Sequence, residues 1–387
     1  MALPATVIIG DTRLRLWSQP AATRLGRMAA RAGAGEIKAL HQLKADEPAF
    51  LVRADAVIEQ RLATALIQKP GTVLTAPSRN APGSVALAAM VLGRAAAEAA
   101  EALLSADVAP DAPPPGLSYG NAEAIGGSYD HVLRKQAVPF AERLGDAPND
   151  LLERLTFGAS YKGATDFVTK FVRPWPARHV TRWCASWGLT PNQVTTVSLI
   201  LMFLAMWGFC QGQWLIAVPL AWMMTFLDTV DGKLARVTMN SSKFGNVYDH
   251  GIDLIHPPFW WWAWAVGAGG LAATRGPEFV EMYDLALWVI VIGYVVQRIY
   301  EGAFLWLFKI EGHIWRPFDF AFRSITARRN PNLFILMVSA ILGVPDYGII
   351  AVAAWVAICM GVHFFRLGQA ALMQRQGRPI RSYLQGG

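Results

Sequence analysis

The sequence predicts two unlike parts: an α/β soluble domain, then an all-α domain of six transmembrane helices. Three observations carry that division. Charged residues make up only 16% of the 387 and hydrophobic residues 53%, where a soluble domain usually carries about 25% charged residues. The apolar residues pile up after Pro191. Ahead of that point, short β-branched runs alternate with helical stretches, the signature of βαβ units and a parallel sheet.

The N-terminal apolar run is too short, and too closely followed by charge, to resemble a cleaved signal peptide, so it reads as a first strand at Thr6–Ile9. Further strands are expected at Ala49–Val52 and Thr72–Leu74, and helices at Ala21–Ala32 and Ile58–Gln68. The prolines between Asp107 and Gly116 fit neither a helix nor a central strand, which makes this stretch a loop. Apolar positions at helical spacing within 130–156 predict the last helix of the soluble part, with a boundary near Leu155. Cys184, Cys210 and Cys359 lie far apart without a partner at metal-ligand spacing, and are read as buried small hydrophobes.

The expected organisation is a cytoplasmic domain over 1–155, a juxtamembrane segment over 156–190, a membrane domain over 191–370 and a tail over 371–387. In the juxtamembrane segment Lys162, Lys170, Arg173, Arg178 and Arg182 interleave with Phe167, Phe171 and Trp183, as in a basic amphipathic helix beside a bilayer. Six apolar segments follow at about 193–210, 214–235, 245–268, 279–308, 332–343 and 346–366. Spans of about 20 residues cross a bilayer core, and the fifth is the shortest of these. One set of connections holds Lys233, Arg236, Lys243, Lys309, Arg316, Arg323, Arg328 and Arg329, whereas the alternate set contributes only Arg275. By the positive-inside rule both termini are cytoplasmic, and the expected location is the inner membrane of a prokaryote. The formal charge of +7 therefore lies at the membrane face. Together with the lack of a base-stacking motif or recognition helix, this argues against a nucleic-acid partner.

Four carboxylates at membrane depth demand an explanation. Asp228 and Asp231 are three residues apart, and Asp249 and Asp253 four apart, so each pair shares one helix face. Two antiparallel helices joined by a short turn bring all four together. Uncompensated, such a cluster is strongly destabilising, because like charges at close range in a low dielectric resist joint ionisation. An all-oxygen donor set suits a hard divalent cation such as Mg²⁺, held by carboxylates and substrate phosphates together. Gly232 and Ala235 share a helix face and Gly245 begins the next helix, leaving room for a flat group such as a nucleotide.

The pattern D-x2-D-G-x2-A-R-x8-G-x3-D-x3-D, running from Asp228 to Asp253, resembles the signature of the CDP-alcohol phosphotransferase family at every fixed position. The resemblance covers about residues 160–370 and implies six transmembrane helices in a homodimer, with a dinuclear Mg²⁺ or Mn²⁺ site facing the cytoplasm. It implies a reaction in which an acceptor hydroxyl attacks a CDP-linked lipid or alcohol and CMP leaves. By position it makes Asp228, Asp231, Asp249 and Asp253 metal ligands, with Asp253 also the general base. Gly232, Ala235 and Gly245 line the cytidine pocket, and Arg236 binds or orients phosphate.

Around this set, His256 shares the face of Asp249 and Asp253 and is a candidate acceptor contact. Pro257 and Pro258 should kink the third span, and Trp260, Trp261, Trp262 and Trp264 read as lipid packing or an interfacial belt. Arg298 and Glu301 pair with each other or with substrate. Arg328, Lys162 and Arg173 are candidates for phosphate recognition.

The N-terminal layout resembles a nucleotidyltransferase domain (Rossmann-like) of the kind fused to some family members. Its Ile9-Gly10-Asp11-Thr-Arg13-Leu stretch largely lacks the Gly-rich phosphate loop of active members, and Asp55 stands where the metal-binding Asp ends a strand. These features imply a degenerate domain. The leading expectation is therefore transfer of a phosphatidyl group from CDP-diacylglycerol to a small polyol, of inositol or inositol phosphate type, in phospholipid synthesis. Alternatives are a bifunctional cytidylyltransferase/phosphotransferase using CDP-inositol, and a non-enzymatic membrane scaffold or transporter.

Overall fold

The computed structural model describes residues 3–385, so the ends of the expected domain 1–155 and tail 371–387 at residues 1–2 and 386–387 lie outside the described residues. Contacts divide the chain into two compact units. One comprises Met1–Gly163, Thr181–Thr190 and Lys233–Asn240, and the other Ala164–Val180, Pro191–Gly232 and Ser241–Gly387.

In the first unit, β1 (Ala5–Ile9), β2 (Pro48–Arg53), β3 (Thr72–Pro77), β4 (Ser84–Leu92) and β5 (Ser118–Gly120) form one sheet in the order β1-β2-β4-β3-β5. The expected parallel pairing is present between β1 and β2 and between β3 and β5. The sheet is nevertheless mixed, because β4 runs antiparallel to both of its neighbours. Sequence reading passed over β4 because its alanines resemble a helix more than a strand. Burial on both faces decides the matter: Leu87, Ala88 and Met90 pack with helices α1 (Ala21–Ala32) and α2 (Gln60–Ile67), while Ala86, Ala89 and Val91 pack with α3 (Arg94–Ser105).

The segment expected to be helical from residue 130 is corrected by the structure. Short strands occupy Tyr129–Asp130, Lys135–Gln136 and Ala141–Arg143, and α4 runs only over Asn149–Ala159. Pro139 and Pro148 remove helical donors, and Arg134 adopts φ 53° in the turn. The carbonyl of Ser160, just past α4, accepts from Lys233 Nζ at 3.1 Å, and that ammonium stands 3.1 Å from the Tyr161 ring centroid. Arg27 on α1 donates to the Thr238 carbonyl at 3.3 Å. These three contacts tie Lys233–Asn240 into this unit.

Val168–Val172 forms a π-helical turn and α5 spans Pro174–Ser186. Phe167, Phe171, Trp175, Trp183 and Trp187 in and around them are exposed. Among the described residues, six helices of 13 residues or more follow the juxtamembrane stretch: α6 (Pro191–Cys210), α7 (Trp214–Val237), α8 (Lys243–Ala273), α9 (Pro277–Phe308), α10 (Arg329–Ile341) and α11 (Pro345–Arg375), with a short helical turn at Pro317–Phe322 between α9 and α10. Four of them, α6, α7, α9 and α11, are long and apolar enough to cross a membrane. Helix α10 has 13 residues, which at 1.5 Å each reach about 20 Å, short of a hydrocarbon core of about 30 Å. Lys243, Asp249 and Asp253 make the first half of α8 polar, and both of its prolines lie inside the continuous helix.

The tryptophan belt expected on α8 is core instead. Trp260, Trp261 and Trp264 are buried, Trp260 Nε1 donates to the Met202 carbonyl at 3.1 Å and Trp264 Nε1 to the Pro345 carbonyl at 3.0 Å, while Trp262 is exposed. A buried indole needs a partner for its N–H, and each buried ring that donates here finds a carbonyl on a neighbouring element. Cys184 and Cys359 are buried as expected, whereas Cys210 is half-buried.

Candidate functional site

The site is built on the α7–α8 hairpin and on the starts of α6 and α10. Helix α7 ends at Val237 and the chain reverses through Met239, whose φ is 50°. Ser242 then caps α8, its Oγ accepting from the Gly245 N–H at 2.9 Å. This cap fixes where α8 starts, and so the face on which Asp249 and Asp253 lie. Asp228, Asp249 and Asp253 each offer an oxygen within 4.8 Å of the others.

Asp231, one turn after Asp228, is 2% exposed. Its Oδ2 accepts from the Thr195 hydroxyl of α6 at 2.6 Å, while Oδ1 has no protein partner. Three converging carboxylates and a fourth with a buried orphan oxygen make an all-oxygen donor set that fits a hard divalent cation. Arg329, the first residue of α10, donates to Asp228 and to Asp253.

The approach of α6 to this hairpin depends on Gly245. A Cβ at that position would overlap Oδ1 of Asn192 and lie 3.1 Å from Ser242 Oγ. Gly232 directly follows Asp231, while Ala235 and Arg236 fall in the last turn of α7, within the stretch grouped with the N-terminal unit. Exposed Lys162 belongs to that unit as well.

Arg173 is buried, and its guanidinium donates to Thr225 Oγ1 at 2.6 Å and Thr229 Oγ1 at 2.8 Å on α7, and to Asn330 Oδ1 at 3.4 Å. These contacts brace α7 on either side of Asp228. Asn330 in turn donates to Asp166 at 3.0 Å. Burial would raise the Asp166 carboxyl, but hydrogen bonds from Asn330 and Thr169 hold it below the ordinary carboxylate range.

His256 is buried, with Nδ1 2.6 Å from the Ile252 carbonyl, its ring edge-on to Trp260, and Nε2 without a protein partner. Arg298 and Glu301 form an ion pair at 2.9 Å, which Arg328 joins by donating to Glu301. Arg323 stands within electrostatic reach of the same group, and burial and the neighbouring Arg328 charge lower its guanidinium to about 9. Three arginines thus face one carboxylate, a local cationic excess suited to an anion.

Sequence reading missed Thr195, Asn192 and the Thr225–Thr229–Asn330 brace. One signal was available: Thr195 and Ser198 are polar residues about one turn apart in a helix that turns wholly apolar after them, and both are buried.

Comparison with known proteins agrees with the α7–α8 pattern. The sequence profile of the CDP-alcohol phosphatidyltransferase family matches residues 188–322. The chain is 42% identical over 79 residues to an archaetidylinositol phosphate synthase of Pyrococcus horikoshii, covering 20% of this chain and 42% of that protein. It is 26% identical over 213 residues to a bifunctional IPC transferase and DIPP synthase of Rubrobacter xylanophilus, covering 54% of this chain and 44% of that one. A crystal structure of Mycobacterium tuberculosis phosphatidylinositol phosphate synthase with CDP-DAG bound is similar at 17% identity and a TM-score of 0.36, covering 50% of this chain and 92% of that one. The chain spans less than half the length of the two curated relatives. The polar hairpin and its spaced carboxylates lie inside the matched segment, and residues 188–322 carry a CDP-alcohol phosphatidyltransferase domain.

Proposed function

We propose that this chain transfers a phosphatidyl group from CDP-diacylglycerol to a hydroxyl of a small phosphorylated polyol of the inositol phosphate type, releasing CMP. The observation that carries the reading is the convergence of Asp228, Asp249 and Asp253, with buried Asp231 beside them. These carboxylates would hold a divalent cation, which would supply charge neutralisation on the donor's pyrophosphate. Asp253 takes the proton of the acceptor hydroxyl. The hydroxyl oxygen then bonds to the phosphorus that carries diacylglycerol, and the bond from that phosphorus to the bridging oxygen breaks. CMP departs with that oxygen.

Two features support a phosphorylated acceptor. The arginines around Glu301 give a cationic excess, and one relative is named as an archaetidylinositol phosphate synthase. The Lys- and Arg-rich connections support a site on the cytoplasmic side. A separate cytidylyltransferase activity of the N-terminal unit finds less support: both oxygens of Asp55 are occupied, by Arg53 at 2.9 and 3.1 Å and by Arg143 at 2.7 Å. The test is CMP release by the purified full-length protein with CDP-diacylglycerol and Mg²⁺, across inositol, inositol phosphate and glycerol phosphate. The reading expects release with inositol phosphate in excess of inositol; no release with any acceptor overturns it.

A further inference from the structure

Arg329 occupies the same carboxylates that the reading above assigns to a cation. It is the first residue of α10, and its two terminal nitrogens reach two different helices, one to Asp228 on α7 and the other to Asp253 on α8. The side chain is largely buried, with 14% of it exposed, so little water competes for these bonds. A guanidinium presents its donors in a rigid fork. Here the fork spans the gap between the two carboxylate-bearing helices instead of gripping a single carboxylate.

The surroundings favour this placement. The neighbouring Arg328 is held on Glu301, and Asn330 is held on Asp166. The start of α10 is therefore pinned on both sides of Arg329. Oxygens that accept from Arg329 cannot at the same time present those lone pairs to a divalent ion, and a guanidinium beside a doubly charged cation meets direct repulsion.

We propose that Arg329 is an intramolecular competitor for the divalent cation, a built-in counter-charge that leaves Asp228 and Asp253 when metal loads. The inference rests on the carboxylates being a metal site and adds what this chain does to regulate it. Guanidinium and metal are alternative partners of one acidic cluster, so the affinity of each is reduced by the other to the same degree. With the guanidinium in place, α7, α8 and α10 stay cross-linked and part of the carboxylate charge is offset. With metal in place, Arg329 would no longer tie α10 to α7 and α8, while Arg328 and Asn330 keep its first turn anchored.

The test is Mn²⁺ binding to the full-length detergent-solubilised protein, followed by electron paramagnetic resonance, in wild type, Arg329→Gln and Arg329→Lys. Competition predicts that Arg329→Gln binds Mn²⁺ more tightly by roughly 5- to 150-fold, the common range for coupled ligands. Arg329→Lys, which keeps the charge but loses the fork, should fall between the two. Thermal unfolding in chelator gives a second readout: Arg329→Gln should melt below wild type, and saturating Mn²⁺ should close the gap. Equal or weaker Mn²⁺ binding by both variants overturns the competition while leaving the metal site intact. No Mn²⁺ binding by wild type or either variant overturns the metal reading, and the competition with it.

Discussion

Thr195 and Asp231 meet across α6 and α7, where the Thr195 hydroxyl donates to Oδ2 of Asp231 at 2.6 Å and both residues are buried. This contact leaves Asp231 with one satisfied oxygen and one buried oxygen without a protein partner. Partners that orient a ligand are commonly worth 10- to 100-fold in metal affinity. Thr195→Val, which keeps the shape and removes the donor, is expected to weaken Mn²⁺ binding by about tenfold or more. Thr195→Ser should stay near wild type. Binding isotherms on the three proteins check this, and unchanged affinity in Thr195→Val would separate the hydroxyl from the site.

Gly245 is expected to be intolerant of even one added carbon, because its α-carbon faces Asn192 Oδ1 at the α6–α8 contact. Gly245→Ala should destabilise by roughly 1–3 kcal/mol, the usual cost of overpacking. The double variant Asn192→Gly with Gly245→Ala should recover part of the loss. Thermal unfolding in detergent reads both; full stability in the single variant would mean that the contact relaxes freely.

Acid should weaken the N-terminal unit in part through Asp55. Burial raises its carboxyl, but hydrogen bonds from Arg53 and Arg143 outweigh that and hold it below the ordinary value of 3.8. A carboxyl depressed by folding adds stability that is fully present above its unfolded value and is lost as pH falls through its folded one. Asp55→Asn should therefore be less stable than wild type at pH 7, with the difference shrinking once pH drops below about 4. A stability gap between the two proteins that stayed constant down to pH 2 would contradict this assignment.

Much of this architecture could be read from residue order, and the exceptions have physical reasons. Helix boundaries after Pro191 are legible because apolar runs, prolines and glycines punctuate them; α6, for example, begins at Pro191 itself. Asp228, Asp231, Asp249 and Asp253 are legible because charge at membrane depth is costly and therefore informative. Strand β4 was not legible, because whether Ala86, Ala88 and Ala89 form a strand or a helix depends on what packs against both faces. The burial of Trp260, Trp261 and Trp264 was hidden for a similar reason, since periodicity does not distinguish a lipid-facing ring from one packed on another helix. Arg329 stood out as basic, but its reach to Asp228 and Asp253 joins residues 101 and 76 positions apart, which no local spacing encodes.

The proposed phosphatidyl transfer rests on the three converging aspartates Asp228, Asp249 and Asp253, with buried Asp231 beside them and Asp253 as the base. The most direct measurement is Mg²⁺-dependent CMP release from CDP-diacylglycerol and inositol phosphate by purified wild type and by Asp253→Asn, with folding of both confirmed by thermal unfolding. Loss of a general base commonly costs about 10²- to 10⁴-fold. The expected result is a fall of at least that size in Asp253→Asn, with its melting transition retained. Turnover in Asp253→Asn equal to wild type, or CMP release by wild type that is indifferent to chelator, would contradict the account.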